Sequence, residues 1–412
     1  MTVTVTEKPT ATIKTFPRYR FVMGALILFA NFSIGLQWSS ISPFLPFAIS
    51  DFKITAATAS LLVALPILLK SLVGLPGSVI ASRFGLKRML TVSWYMIGGL
   101  ILSALAPGFY GLLILRLLYG VGTGLMMPAI GTLVMQWFPK KERTMVNTMN
   151  LVVMSLGTSV SFVVAAPLSG VMSWSGALSV LGAFGFIGAI AWHILGRTKS
   201  DTQSVQIKFS LKDVWAVLSN RTIFLLFLGD SLVFVLYAAL TNWLPTFFYE
   251  FRGMSLSQAS NTTGLLPFVG IFAVIIGGFL SLRVKNKKLF FIIPGIMVVL
   301  GGFGSFLLEN SIAIYISVLV LGIGTWIYQP VLLSLPMELP WMTPNKIAIV
   351  WGASMTVAGF GMFLSPIIVG ASRDIFGSFV PGFIICTIPA SMLIFSGIFL
   401  PQKEPVTAAP AT

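Results

Sequence analysis

Apolar runs long enough to cross a bilayer recur along the whole chain, separated by short polar breaks. Twelve can be marked, at about 21–43, 56–81, 88–106, 109–137, 146–172, 174–196, 222–248, 257–282, 288–307, 311–333, 347–371 and 379–400. A helical crossing needs roughly 20 mostly apolar residues, and each run meets or approaches that length. Lipid offers no partner to an unpaired backbone group, so helices are the expected elements. The runs are too long and too uniformly apolar for the alternating strands of a membrane barrel. The pattern predicts an all-α membrane protein with twelve transmembrane helices.

Composition supports this and removes other classes. Of 412 residues, 56% are hydrophobic and 9% charged; too few polar side chains remain to cover a water-soluble surface. The net charge of +15 first suggests nucleic acid, but its placement does not. With the N-terminus inside, 21 of the 26 Lys and Arg fall in the tails and inner loops. These include Arg83, Lys87 and Arg88 after span 2, Lys140, Lys141 and Arg143 after span 4, and Arg283 after span 8. Only Lys53, Arg252 and Arg373 fall outside, and Lys70 and Arg116 lie within spans. This asymmetry predicts both termini in the cytoplasm and makes the basic charge topological rather than a mark of a nucleic-acid partner. The first run is too long for a cleaved signal and reads as a retained span. A single cysteine, Cys386, forms no intramolecular disulfide. One His and one Cys supply little metal or nucleophilic chemistry, so neither an enzyme nor a cofactor is expected.

The chain repeats itself. GSVIASRFGLKRML (77–90) aligns without gaps on GGFLSLRVKNKKLF (277–290), placing Arg83 on Arg283 and Lys87 on Lys287. GVGTGLMMP (120–128) aligns on GIGTWIYQP (322–330), and FLP (44–46) on WLP (243–245). APLSG (166–170) echoes SPIIVG (365–370). Anchors at nearly one spacing, close to 200 residues, predict two pseudo-symmetric six-helix bundles. The expected division is a tail at 1–20, bundles at 21–196 and 221–400, a polar linker at 197–220 with room for a short surface helix, and a tail at 401–412. Halves of this kind rock about a site near the bilayer midplane.

These residues resemble the major facilitator superfamily over essentially the whole chain. The family's 2–3 loop motif, Gly-x-Leu-Ala-Asp-Arg-x-Gly-Arg-Lys, appears as SVIASRFGLK (78–87), with Arg83, Gly85 and Lys87 matched. Gly77 sits one residue early, and the acidic member is replaced by Ser82. In the family that acid joins a charge network latching the cytoplasmic side, so the resemblance implies a gate built differently here, from Gly77, Arg83, Gly85, Lys87, Arg88 and Arg283. The helix-4 motif, Arg-x-x-x-Gly-x-Gly-x-Gly, is complete in Arg116, Gly120, Gly122 and Gly124. The resemblance implies transport by alternating access in a bacterial or archaeal cytoplasmic membrane, by a monomer with both termini inside. It also implies that spans 1, 4, 7 and 10 line the cavity.

The candidate site follows from the ionisable residues within spans. Each such charge costs roughly 3 kcal/mol on insertion scales and usually faces a wet cavity or a partner. Lys70 lies too deep in span 2 to snorkel, and its counterpart in the second half is apolar, near Gly270 and Ile271. It is therefore a candidate substrate-binding cation, with a structural ion pair as the plainer alternative. Asp230 in span 7 matches Asn31 in span 1. The two head polar-aromatic stripes, one through Gly35 and Trp38, the other through Phe234 and Tyr237. Asp230 is the candidate for proton coupling, or else neutralises Lys70. Family resemblance adds Arg116, Tyr328, Gln329 and Trp351, with a purely structural role left open for Arg116. Two cations against one acid within the spans favour an anion. The expectation is proton symport of a small organic or inorganic anion, and the finer resemblance is to cyanate and nitrate-type porters. That branch's two-arginine nitrate site is not evident. The alternative is proton-antiport export of drugs or metabolites, whose span-5 kink motif is only partly matched by APLSGV (166–171).

Overall fold

The computed structural model describes residues 18–198, 219–284, 286–338 and 344–400, without the side chains at 75–82, 337–351 and 353. The tails and linker residues 199–218, with the surface helix expected there, lie outside the described residues.

Among the described residues, twelve helical segments are long and apolar enough to cross a membrane. Span 1 is Arg20–Trp38, continued after a tight turn by Leu45–Phe52. Spans 2 to 6 are Ala56–Phe84, Leu86–Gly98 with its extension Gly99–Leu105, Gly108–Trp137, Lys140–Val171 and Trp174–Leu195. Spans 7 to 9 are Arg221–Phe251, Leu256–Arg283 and Leu289–Leu307. Span 10 is Ser311–Ile327 followed by Gln329–Ser334, span 11 Pro344–Phe376, and span 12 Val380–Ala390 followed by Met392–Ile398. Spans 1–6 pack on one another, as do spans 7–12, and the two bundles meet through spans 2 with 11 and 5 with 8.

The helices depart from the apolar runs where polar residues or proline intervene. Span 5 begins at Lys140, six residues before the apolar run, because a polar turn can be helical without being hydrophobic. Arg143 in that turn reaches back to cap span 4, donating to the carbonyls of Phe138 and Met135 at 3.0 and 2.8 Å. Span 10 breaks at Tyr328, where Pro330 opens the next short helix and has no N–H to continue the ladder. The matching proline of span 4, Pro128, stays inside a continuous helix. The chain between spans 2 and 3 turns at Gly85 with φ 85°, a conformation that favours glycine.

The repeat read from the sequence is present in the packing. A Cβ on Gly120 of span 4 would lie 2.7 Å from the Cα of Pro66 in span 2, and one on Gly122 2.9 Å from the Ser93 carbonyl of span 3. In the second bundle a Cβ on Gly322 would meet the Leu266 carbonyl of span 8 at 2.9 Å, and one on Gly324 the Pro294 carbonyl of span 9 at 3.0 Å. The two glycine motifs thus do one job: each lets a fourth helix approach its second and third neighbours backbone to backbone. The contacts set Pro66 opposite Leu266 rather than Pro267, which places Lys70 on Gly270. We expect Gly120→Ala and Gly322→Ala each to destabilise the detergent-solubilised protein by about 1–3 kcal/mol, the range for overpacked cores. Equal losses in a thermal-unfolding assay would bear out the symmetry; a neutral Gly120→Ala would contradict the close approach.

The bundles are tied at the face opposite the basic 2–3 and 8–9 loops. Ser42 Oγ donates to Asn242 Oδ1 at 2.8 Å, joining spans 1 and 7. Ser60 Oγ of span 2 donates to the Pro366 carbonyl of span 11 at 2.8 Å. Asp374, near the end of span 11, accepts the backbone N–H groups of Ala56 and Ala57 at 2.9 and 2.8 Å. A carboxylate from one bundle therefore caps the first turn of a helix in the other, where the helix dipole favours negative charge. All of these hydrogen bonds between the bundles lie at this face. Asp374→Ala is expected to loosen it. With spin labels at Ser175 and Ser311 in a Cys386→Ser background, the variant should add a longer-distance population that the wild type lacks.

Candidate functional site

Lys70 occupies the centre of the 29-residue helix Ala56–Phe84, about 21 Å from either end at 1.5 Å per residue. A lysine side chain spans only a fraction of that distance, so its charge stays at mid-membrane. The helix reaches this depth beside span 4 because Gly124 leaves room: a Cβ there would sit 2.9 Å from the Lys70 carbonyl. The ammonium lies 4.5 Å from the centre of the Trp38 ring, a cation–π arrangement. Among the described residues no carboxylate pairs with it. Lys70 and Trp38 are both half-buried rather than packed out.

Asp230 does not neutralise Lys70. It is 4% exposed and bonded within its own bundle. The Tyr328 hydroxyl and the Gln329 amide donate to the same oxygen, Oδ1, at 2.8 and 2.7 Å. Tyr328 and Gln329 flank the break in span 10, so the interrupted helix is what turns both side chains onto span 7. Oδ2 carries neither bond. Tyr328 also packs 5.9 Å from Phe291 of span 9.

Tyr237 stands two stripe positions further along span 7 and belongs to a three-ring cluster. Its ring lies 5.8 Å from that of Trp326 at 90° and 6.2 Å from Phe234, while Phe234 and Trp326 are 5.5 Å apart. Trp326 was not among the candidates. It sits in the span-10 counterpart of the glycine motif, GIGTW against GVGTG, at the position of Gly124. The signal was in the alignment, as a bulky residue where the first half has none.

Arg116 is placed differently from the other charges. It is 1% exposed, and donates to the Gln37 carbonyl and to Ser40 Oγ, both at 2.9 Å. These groups stand at the end of the span-1 helix, so the guanidinium serves as its C-terminal cap. Removing it takes the charged donor from a carbonyl that Ser40 Oγ also bonds, at 3.1 Å. Arg116→Ala is expected to cost about 1.5–3 kcal/mol of stability, the range for a lost charged hydrogen bond. A thermal-unfolding midpoint unchanged from wild type would exclude this role. Asn31 is buried and donates to the Ile27 carbonyl of its own helix at 3.0 Å. Trp351 and Gly77 lie outside the residues whose side chains are described. Arg83, Lys87, Arg88 and Arg283 are exposed, and among the described residues none forms an ion pair.

The structure thus brings Lys70 together with Trp38, and Asp230 with Tyr328 and Gln329, as two separate groups on opposite bundles.

Comparison with known proteins agrees with this architecture. The family model of the Major Facilitator Superfamily matches residues 27–409. The chain is 24% identical over 398 residues to the probable nitrate transporter NarT of Staphylococcus aureus, covering 95% of this chain and 98% of that one. It is 26% identical over 274 residues to the hexuronate transporter of Bacillus subtilis, covering 61% and 62%. Among solved structures, a bacterial homologue of the human lysosomal transporter Spinster, inward-facing and unoccupied, superposes with a TM-score of 0.70 at 16% identity. That match covers 93% of this chain and 95% of the other.

Proposed function

We propose that this chain, which belongs to the Major Facilitator Superfamily, carries a small organic or inorganic anion across the membrane by proton-coupled symport. It is an integral, multi-pass membrane transporter; the anion, the proton and the direction are the proposal. One observation carries it. A lysine stands at mid-membrane, half-buried, against an aromatic face, with no carboxylate paired to it among the described residues. A position that costs so much to charge is kept for something that arrives and leaves. The nitrate and hexuronate relatives, both named for transport of anions, support the sign of that charge.

In this reading the anion's negative group docks on the Lys70 ammonium beside Trp38. Asp230 takes the coupling proton on Oδ2, which leaves both hydrogen bonds to Oδ1 in place. The bundles at 21–196 and 221–400 rock about the linker 197–220. The contacts through Ser42, Ser60 and Asp374 then hold the site closed on the outer side, and the basic loops face the cytoplasm. Arg83, Lys87, Arg88 and Arg283, with the turn at Gly85, form the inner gate.

Uptake into proteoliposomes tests it. Nitrate, cyanate, small carboxylates and cationic drugs are offered with and without an imposed proton gradient. Gradient-driven uptake of an anion that requires Lys70 supports the reading. Movement of cationic or neutral compounds alone would replace it with proton-antiport export.

A further inference from the structure

The pseudo-symmetry places a second set of residues at the same depth as Lys70, and that set is not a copy. The repeat aligns Trp38 with Tyr237, Lys70 with Gly270, and Gly124 with Trp326. All three correspondences follow from the spacings fixed above. The packing respects them. In the first bundle Lys70 touches Trp38 and its backbone lies against Gly124. In the second, Trp326 touches Tyr237, and a Cβ on Gly270 would fall 2.5 Å from the Trp326 indole. The long side chain has changed helices. Where the first bundle offers a cation from span 2 beside a glycine of span 4, the second offers an indole from span 10 beside a glycine of span 8. An indole occupies the position that a second cation would need.

This arrangement bears on the substrate's other end. The ring cluster of Phe234, Tyr237 and Trp326 is apolar, and Phe234 and Trp326 keep exposed surface at mid-span. The Trp326 Nε1 is turned away from that exposed surface and is itself buried. Neighbouring polar groups are otherwise engaged within their own bundles. Asn31 donates to Ile27, Thr123 to Gly120 and Thr241 to Tyr237, while Tyr328 and Gln329 are held by Asp230. A polyhydroxylated body would meet few free partners here. A flat apolar body would meet ring faces.

We propose that Trp326 is a specificity-determining residue and that the preferred substrate is a monoanion with a flat, largely apolar body. Its charge sits on Lys70 beside Trp38, and its body lies against Trp326 and Tyr237. Among the described residues dianions find no second cation, and anions without a body leave the ring cluster unused. This rests on the anion reading above.

Uptake of four probes by the full chain in proteoliposomes tests it: benzoate, phthalate, glucuronate and nitrate. Benzoate should show a KM at least tenfold below those of the other three. Trp326→Leu should raise the benzoate KM about tenfold with kcat within twofold, since an aromatic contact is typically worth one such factor. Trp326→Phe, which keeps a smaller ring, should fall between. The exchange variant Gly270→Lys/Trp326→Gly rebuilds the first bundle's pair in the second and should gain phthalate uptake while losing benzoate. If that variant does not fold, the two single Trp326 variants decide alone. A benzoate KM unchanged in Trp326→Leu overturns the inference. Lys70-dependent uptake of nitrate or glucuronate in preference to benzoate also overturns it, while leaving anion transport standing. If no anion is taken up at all, the anion reading itself fails.

Discussion

Lys70→Ala should reduce anion uptake by two orders of magnitude or more, with the protein still folded. Among the described residues the ammonium makes a cation–π contact with the Trp38 ring, at 4.5 Å, and no ion pair. Its removal therefore strands no opposite charge, and thermal stability should hold or rise as a costly buried cation is lost. The bound anion loses its counter-charge in a site of low dielectric. Truncating one member of a buried charge pair costs about 2–5 kcal/mol, and each 1.4 kcal/mol is tenfold. Lys70→Arg keeps the charge and the stacking on Trp38, and should recover uptake to within about tenfold of wild type. The measurement is initial-rate uptake beside a thermal-unfolding midpoint. If Lys70→Ala transports normally, or loses activity only because it unfolds, the lysine is structural.

Asp230→Asn separates coupling from binding. The substitution is nearly isosteric, and an amide oxygen still accepts from Tyr328 and Gln329, as Oδ1 does now. What disappears is the capacity to gain and lose a proton. Accumulation driven by a proton gradient should fall to background, while exchange of labelled for unlabelled anion across equal concentrations should continue near the wild-type rate. Loss of both would mean that Asp230 supports the break in span 10 rather than the proton. Retention of both would remove it from the mechanism. Tyr328→Phe is the informative companion, because it deletes one donor to Oδ1 and leaves the carboxylate titratable.

The elements were legible in the chain because lipid imposes one simple demand. Each crossing must be long, apolar and helical, and nothing else in this composition satisfies it. Departures came where a helix is polar, as at Lys140–Arg143, or where proline acts through backbone geometry rather than hydrophobicity. Pro128 and Pro330 occupy matching positions in matching motifs, yet one helix continues and the other breaks. Local sequence does not separate those outcomes.

The candidate site was legible as a set of costly residues, not as an arrangement. Lys70 and Asp230 stood out because ionisable groups within spans are rare. Whether they met was undetermined: residues 160 positions apart on different helices pair or not according to packing. They do not pair, and Asp230 turns to the broken helix of its own bundle. Arg116 was open to reading as a second site cation or as a structural residue, and its hydrogen bonds to Gln37 and Ser40 place it as a cap on span 1. Asp374 carried no signal, since its partners are backbone N–H groups more than 300 residues away.

By itself, then, the sequence determined the number and kind of helices, the two-fold repeat, and which residues bear a charge that the membrane makes expensive. These are properties of windows, spacings and composition, and they survive without knowledge of any neighbour. Only the tertiary structure decided who touches whom: the lysine over Trp38, the carboxylate held by Tyr328 and Gln329, and the indole filling the place of a second cation. Such contacts depend on how close two backbones come and on which face each helix turns inward. Both are set by packing against helices distant in sequence.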